Sequence, residues 1–283
     1  MPVTSTAELI EEARSASRGL GSFNVISIEH AEAIATAAER AGQSALLQVS
    51  ENAVKYHGAL TPLAAACREI ARSSSAPIGL HLDHVTDPDL LRQAADAGFT
   101  SVMFDASTFD YGKNVALTRE SAEWAHRHDL WFEAELGEVG GKDGAHAPGV
   151  RTDPDEAARF VDQTGTDGLA VAVGSSHAMV TREARLDLDL IKELTEAVPV
   201  PLVLHGSSGV PDEQLIAAVA AGITKVNVGT ALNVAFTQAV RERLADSSLV
   251  DPRKYLSHGR TAMIDAVEHT LNVLACNQPN GTE

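Results

Sequence analysis

Three histidines, His84, His177 and His205, and three carboxylates, Asp83, Asp105 and Glu135, stand at or just after the ends of short apolar runs in separate parts of the chain. Imidazole and carboxylate groups suit Zn2+ or a similar first-row metal, and a catalytic metal site typically offers three protein ligands and one open position. His84, His177 and His205 could supply that set. Asp83 adjoins His84 in HLDH (81–84). Successive side chains of a strand diverge, so Asp83 is expected beside the metal, as a general acid or base, rather than on it. One histidine or aspartate at a strand end is usually a satisfied turn residue; six such groups after five different runs point to a site. His81 lies two residues before Asp83 and is expected to pack or to support its neighbours from behind. His30, His57, His126, His128, His258 and His269 fall in helical or loop stretches and read as surface or packing residues, while His146 fits either description.

Two glycine-bearing turns lie close to these groups. HGSSG (205–209) and NVGT (227–230) could bind a phosphate through backbone N–H groups and the Ser208 and Thr230 hydroxyls. A tight strand-to-helix connection is the plainer alternative for either turn alone, and the nearness of His205 favours the phosphate. Asn24, Gln48, Ser50 and Asn227 are further polar residues at strand ends.

The elements that must position these residues alternate. Strand-length apolar runs at 22–26, 45–49, 78–83, 101–104, 131–136, 168–173, 201–205 and 225–228 are separated by stretches of helical period, including 30–41, 89–97, 114–127, 187–197, 212–221 and 261–274. Eight βα units predict an α/β fold, a single-domain (β/α)8 TIM barrel over residues 1–276, with a polar tail at 277–283. In such a barrel the active site forms at the carboxyl ends of the strands, where the polar residues fall. The stretch 137–153 has five glycines and no clear period, and a loop of that length is often a functional lid.

Composition narrows the partners. The chain has 283 residues, 44% hydrophobic and 22% charged, enough for a sizeable core. A formal net charge of −17 disfavours nucleic acid and acidic membrane surfaces. Cys67 and Cys276 make no metal or redox spacing, so free thiols in a reducing cytoplasm are expected, and no apolar run is long enough to span a membrane. No G-x-G-x-x-G follows the first strand, so no dinucleotide is implied.

The sequence resembles the class II, metal-dependent fructose- and tagatose-bisphosphate aldolases from about Gly21 to Leu274. The likeness rests on FNV (23–25), HLDH (81–84), VMFDAS (102–107), EAELGEVGG (133–141), GSSHAMV (174–180), PLVLHGSSG (201–209) and KVNVGTALN (225–233), in that order. It implies a zinc-dependent lyase, or one using another divalent metal with room for a monovalent cation. The reaction implied is reversible cleavage of fructose 1,6-bisphosphate or tagatose 1,6-bisphosphate to dihydroxyacetone phosphate and glyceraldehyde 3-phosphate. On the same resemblance His84, His177 and His205 are metal ligands, Asp105 and Glu135 a second or alternate metal site, and Asp83 the carrier of the C4 hydroxyl proton. Gly206, Ser207, Ser208, Asn227, Gly229 and Thr230, with Ala178, correspond to phosphate-side positions, and Asn24 and Ser50 to substrate-side ones. A homo-oligomer, dimer or tetramer, is implied as well.

Departures concentrate where the aldehyde half would sit. Ala178 stands for a usual glycine, Ser207 for the second glycine of HGGSG, and Gly229 for the aspartate of fructose-specific members. Lys142-Asp143 replaces a pair of acids, leaving Asp143 as the candidate for the C3 proton. A lysine expected shortly after His177 is missing, so Arg182, Arg253 or Arg260 is expected to take a distal phosphate, with a subunit contact as one route. The rivals are a class II-type aldolase for another phosphorylated ketose, a metal-dependent hydrolase on the same barrel, a Schiff-base aldolase and a non-catalytic sugar-phosphate sensor. Schiff-base chemistry needs a lysine projecting into the barrel, and only Lys225 opens a strand, at its start.

Overall fold

Eight apolar runs become eight short, almost wholly buried strands: β1 Leu20–Asn24, β2 Ala45–Ser50, β3 Ile78–Val85, β4 Ser101–Phe104, β5 Trp131–Glu135, β6 Gly168–Val171, β7 Leu202–Leu204 and β8 Ile223–Val228. A computed structural model describes residues 3–136, 151–175 and 182–276. The strands pair in sequence order, all parallel, and β8 returns to β1 with Leu20 opposite Lys225, so the sheet closes. Strands covered on both faces read as continuous apolar runs, which is why they were legible without strict alternation.

Helices pack outside the strands. They are α1 Thr6–Ser15, α2 Ile28–Ala41, α3 Glu51–His57, α4 Thr61–Ser73, α5 Pro88–Leu91 and α6 Ala94–Ala97, followed by α7 Tyr111–His126, α8 Pro154–Thr164, α9 Leu188–Ala197, α10 Asp212–Ala221, α11 Thr230–Arg243 and α12 Pro252–Leu274. Capping fixes many of their ends: Asp87, Asp110, Asp153, Asp187 and Asp251 each accept a hydrogen bond from a backbone N–H in the first turn that follows. Gly42 closes α2 at φ 60°, the left-handed conformation that favours glycine. The stretch expected as one helix over 89–97 is two single turns. Gln93 N bonds Leu90 O, a tighter i to i−3 bond that interrupts the α ladder. The last helix begins at Pro252, nine residues before the expected start. Gly259 hides the pattern there: it is buried, and a Cβ at this position would lie 2.5 Å from Phe236 of α11.

Inside the barrel, the side chains are layered. Toward the amino ends Leu20, Leu46, Met103, Trp131, Ala170 and Val203 form one cluster with Leu9, Ile10 and Ala13 of α1. That helix therefore plugs the bottom of the barrel, and burying Leu9 and Ile10 contributes roughly 2 kcal/mol each. Two residues beyond Leu20, Leu46 and Trp131 the interior turns polar at Ser22, Gln48 and Glu133, and His81, Ser101 and Lys225 are buried as well. Each must find its partners inside the barrel. Lys225 is the third residue of β8 and not its opening residue as the sequence indicated, because Ile223 and Thr224 already belong to the strand. Among the described residues, no helix is long and apolar enough to cross a membrane.

Candidate active site

Asn24, Gln48, Ser50, Asp83, His84, Asp105, Glu135 and Asn227 line one pocket of about 600 Å3 at the carboxyl mouth of the barrel. Gly206, Ser207, Ser208, Gly229 and Thr230 line it too. His205 is fully buried against it, its ring centroid 4.8 Å from that of His84. Asp143, His177 and Ala178, with Lys142 and His146, lie outside the described residues.

The end of β3 departs from a regular strand. His84 has φ 49°, and the pairing with β4 shifts register between Leu82 and Val85. Alternation would send Asp83 and His84 to opposite faces; the left-handed residue swings the imidazole back to the same side. Thus Asp83, His84 and His205 each offer a ligand atom within 4.8 Å of the others, and so do His84, Asp105 and Glu135. The expectation that Asp83 and His84 diverge is corrected on this point. A non-glycine residue in this conformation costs about 1–2 kcal/mol, a strain found mostly where function requires it.

Charge accumulates around His84. Its Nδ1 lies 3.2 Å from Oδ2 of Asp105. Burial alone would lower its pKa, but Asp83, Asp105 and Glu135 raise it to about 10. Burial opposes ionisation of Asp83 as well, yet His84, His81 and His205 hold it far below the usual carboxylate range. Asp105 is brought to about 2 against its own burial, chiefly by His84 and then Ser107. Burial lowers His205 and favours its neutral, ligand form. Three carboxylates around two imidazoles leave an excess of negative charge, and the mixed N and O donors fit a divalent first-row cation.

Beneath these groups runs a buried polar network. His205 Nε2 lies 2.9 Å from Oε1 of Glu133, and Lys225 Nζ is ion-paired with Oε2 at 2.8 Å. Lys225 donates to Oδ1 of Asn227 at 2.6 Å, and Asn227 Nδ2 reaches Asp83 Oδ1 at 3.4 Å. Gln48 Nε2 donates to Asp83 Oδ2 at 2.9 Å and to Asn24 Oδ1 at 2.6 Å. His81 meets Ser101 Oγ at 2.8 Å and stands 3.6 Å from Asp83, a supporting place of the kind expected. Glu133 was quoted in the sequence motif without a role. The signal was there, since E-A-E on a strand turns Glu133 and Glu135 to one face.

The two turns are built around α10 and α11. Gly206 adopts φ 66°, Ser207 Oγ donates to Asn227 O at 2.6 Å, and Ala231 N donates to Ser208 Oγ at 3.1 Å. The three arginines considered for a distal phosphate are tied elsewhere in this chain: Arg182 to Asp212 and Val210 O, Arg253 to Asp251, Arg260 to Glu32. None lines the pocket.

This is the architecture of a barrel enzyme that handles a small molecule at the mouth of its strands. The family model of class II fructose-bisphosphate aldolase matches residues 4–279, and the chain belongs to that family of lyases. Fructose-bisphosphate aldolase of Geobacillus stearothermophilus is 38% identical over 268 residues, 93% of each chain. The YdjI aldolase of Escherichia coli K12 matches in structure with a TM-score of 0.86 at 29% identity, covering 96% of this chain and 97% of that one.

Proposed function

We propose that this chain cleaves a ketose 1,6-bisphosphate, of the fructose or tagatose configuration, to dihydroxyacetone phosphate and glyceraldehyde 3-phosphate, with zinc as the divalent metal. The observation that carries the reading is the approach of Asp83, His84 and His205 within 4.8 Å, beside Asp105 and Glu135, at the head of a pocket of about 600 Å3. His84 and His205, with His177 from outside the described residues, would hold the cation, and Asp105 and Glu135 a second or alternate position. When bound there, it supplies electrophilic polarisation of a carbonyl oxygen.

Asp83 is ionised and held by Gln48 and Asn227, so it is prepared to accept the proton of the C4 hydroxyl as the C3–C4 bond breaks. The bonding electrons pass toward the C2 carbonyl, and C3 then takes a proton, which we assign to Asp143. Gly206, Ser207, Ser208, Asn227, Gly229 and Thr230 would bind the C1 phosphate, while Asn24 and Ser50 orient the sugar hydroxyls. Ser207 contributes through its backbone, because its hydroxyl is spent on Asn227 O. Lys225 does not serve a Schiff base, since it is fully buried, ion-paired with Glu133 and absent from the pocket wall. A cytoplasmic homo-oligomer is part of the same reading.

The test is cleavage of fructose 1,6-bisphosphate and tagatose 1,6-bisphosphate, each with and without EDTA and with Zn2+ restored. Loss of activity on chelation and its return with Zn2+ are expected, with the two rates ranking the substrates. Chelator-resistant cleavage would defeat the metal reading, and inactivity on both sugars would defeat the substrate.

A further inference from the structure

We propose that Lys55 binds the second anionic group of the substrate, the one remote from the glycine-bearing turns, and thereby selects ketose bisphosphates over ketose monophosphates. This rests on the aldolase reading above. Among the described residues lining the pocket there are four carboxylates, Glu51, Asp83, Asp105 and Glu135, and a single lysine or arginine, Lys55. A dianionic group entering that field needs a cation at its own end.

Lys55 is set apart from the turns, a quarter of the way round the mouth from β8. It lies on α3, which follows β2, whereas Gly206 to Ser208 follow β7 and Gly229 to Thr230 follow β8; β1 separates β8 from β2. A sugar phosphate seated on the turns can reach across the end of β1 with its other end toward β2 and α3. There Lys55 stands with Ser50 and Asn52 in the pocket wall.

The ammonium group is held by an anchor that an ordinary surface ion pair lacks. Lys55 Nζ is 2.6 Å from Oε1 of Glu51, one turn earlier, and the Glu51 side chain is buried. Glu51 in turn accepts from Thr86 N at 2.6 Å, Thr86 Oγ1 at 3.1 Å and Asp87 N at 3.3 Å, so the loop after β3 fixes the carboxylate. An ammonium has three donors, and Glu51 engages one side of it. The Lys55 side chain is 66% exposed, open to a ligand arriving from solvent. Fixing the lysine before the ligand arrives reduces the ordering cost of binding.

The experiment compares kcat/KM for a ketohexose 1,6-bisphosphate and the matching 1-phosphate, fructose or tagatose, in wild type, Lys55→Met and Lys55→Arg. In Lys55→Met the ratio of bisphosphate to monophosphate kcat/KM should fall by about tenfold or more, mainly through a higher KM for the bisphosphate. Lys55→Arg should recover most of the ratio. An unchanged ratio in Lys55→Met, with wild type active, overturns the assignment of Lys55 and leaves the aldolase reading standing. Wild type inactive on both sugars defeats the proposed substrate and the role of Lys55 with it.

Discussion

The Nε2 of His205 lies 2.9 Å from Oε1 of Glu133, with both side chains wholly buried. A neutral imidazole that donates from Nε2 presents Nδ1 as its acceptor, and that atom stands 3.7 Å from Glu135 Oε2, toward the site. Glu133 thus selects the tautomer through which His205 could bind a metal. Lys225 completes the pair and, after the opposing effect of burial, is the chief cause holding Glu133 down to about 2. Glu133→Gln is expected to lower metal affinity by about 10- to 100-fold. It should also cost about 3 kcal/mol or more of stability, because it leaves Lys225 buried without a counter-charge. Chelator competition and urea denaturation read the two effects. Adding Lys225→Met should restore stability without restoring affinity; full recovery of both would reduce Glu133 to a charge partner.

Asp83 is close enough to His84 and His205 to be a third ligand and is also positioned to move a proton. Asp83→Ala separates the roles. If it carries the proton, turnover falls by roughly a hundredfold or more while bound metal, counted by elemental analysis, stays the same. Loss of the metal from that variant would make Asp83 a ligand, and unchanged turnover would remove it from the reaction.

Gly229 touches the site through what it lacks. A Cβ there would lie 2.8 Å from Nδ2 of Asn24, whose Oδ1 accepts from Gln48. Its φ is −130°, outside the left-handed region that favours glycine. Gly229→Ala should therefore displace Asn24 and lower kcat/KM several-fold, with a melting temperature close to wild type. Strong unfolding instead would show that the close approach serves the barrel more than the substrate.

The barrel was legible because its strands are uninterrupted apolar runs and many of its helices begin at Asp caps. The strand ends moved by only a few residues. Lys225 was misplaced because Ile223 and Thr224, between the helix-closing Gly222 and Lys225, were left out of the strand. His84 was misread because alternation assumes a regular strand, and a positive φ at histidine has no sequence signature. Glu133 could have been found from strand period, whereas Lys55 could not: its importance depends on Glu51 being fixed by Thr86 and Asp87, far along the chain. The ion pairs of Arg182 and Arg260 were hidden for the same reason, their partners Asp212 and Glu32 being distant in sequence.

Asp212 binds two basic groups, Arg182 and, at 2.8 Å, His269 Nε2, which join the segment after β6 and the last helix to the start of α10. Burial raises its pKa, but Arg182 and then His269 outweigh this and set it below the ordinary 3.8. A carboxylate depressed in the folded state contributes stability above its unfolded value, near 4, and loses it as pH falls through the lower folded value. Asp212→Asn should therefore be less stable than wild type at pH 7. The difference should be small, under about 1 kcal/mol, because the cluster is partly solvated. Urea midpoints followed from pH 7 to pH 3 should show the two proteins converging in acid. A gap that persists unchanged to pH 3 would mean that the asparagine disturbs packing at the head of α10, and that the charge on Asp212 contributes nothing to the fold.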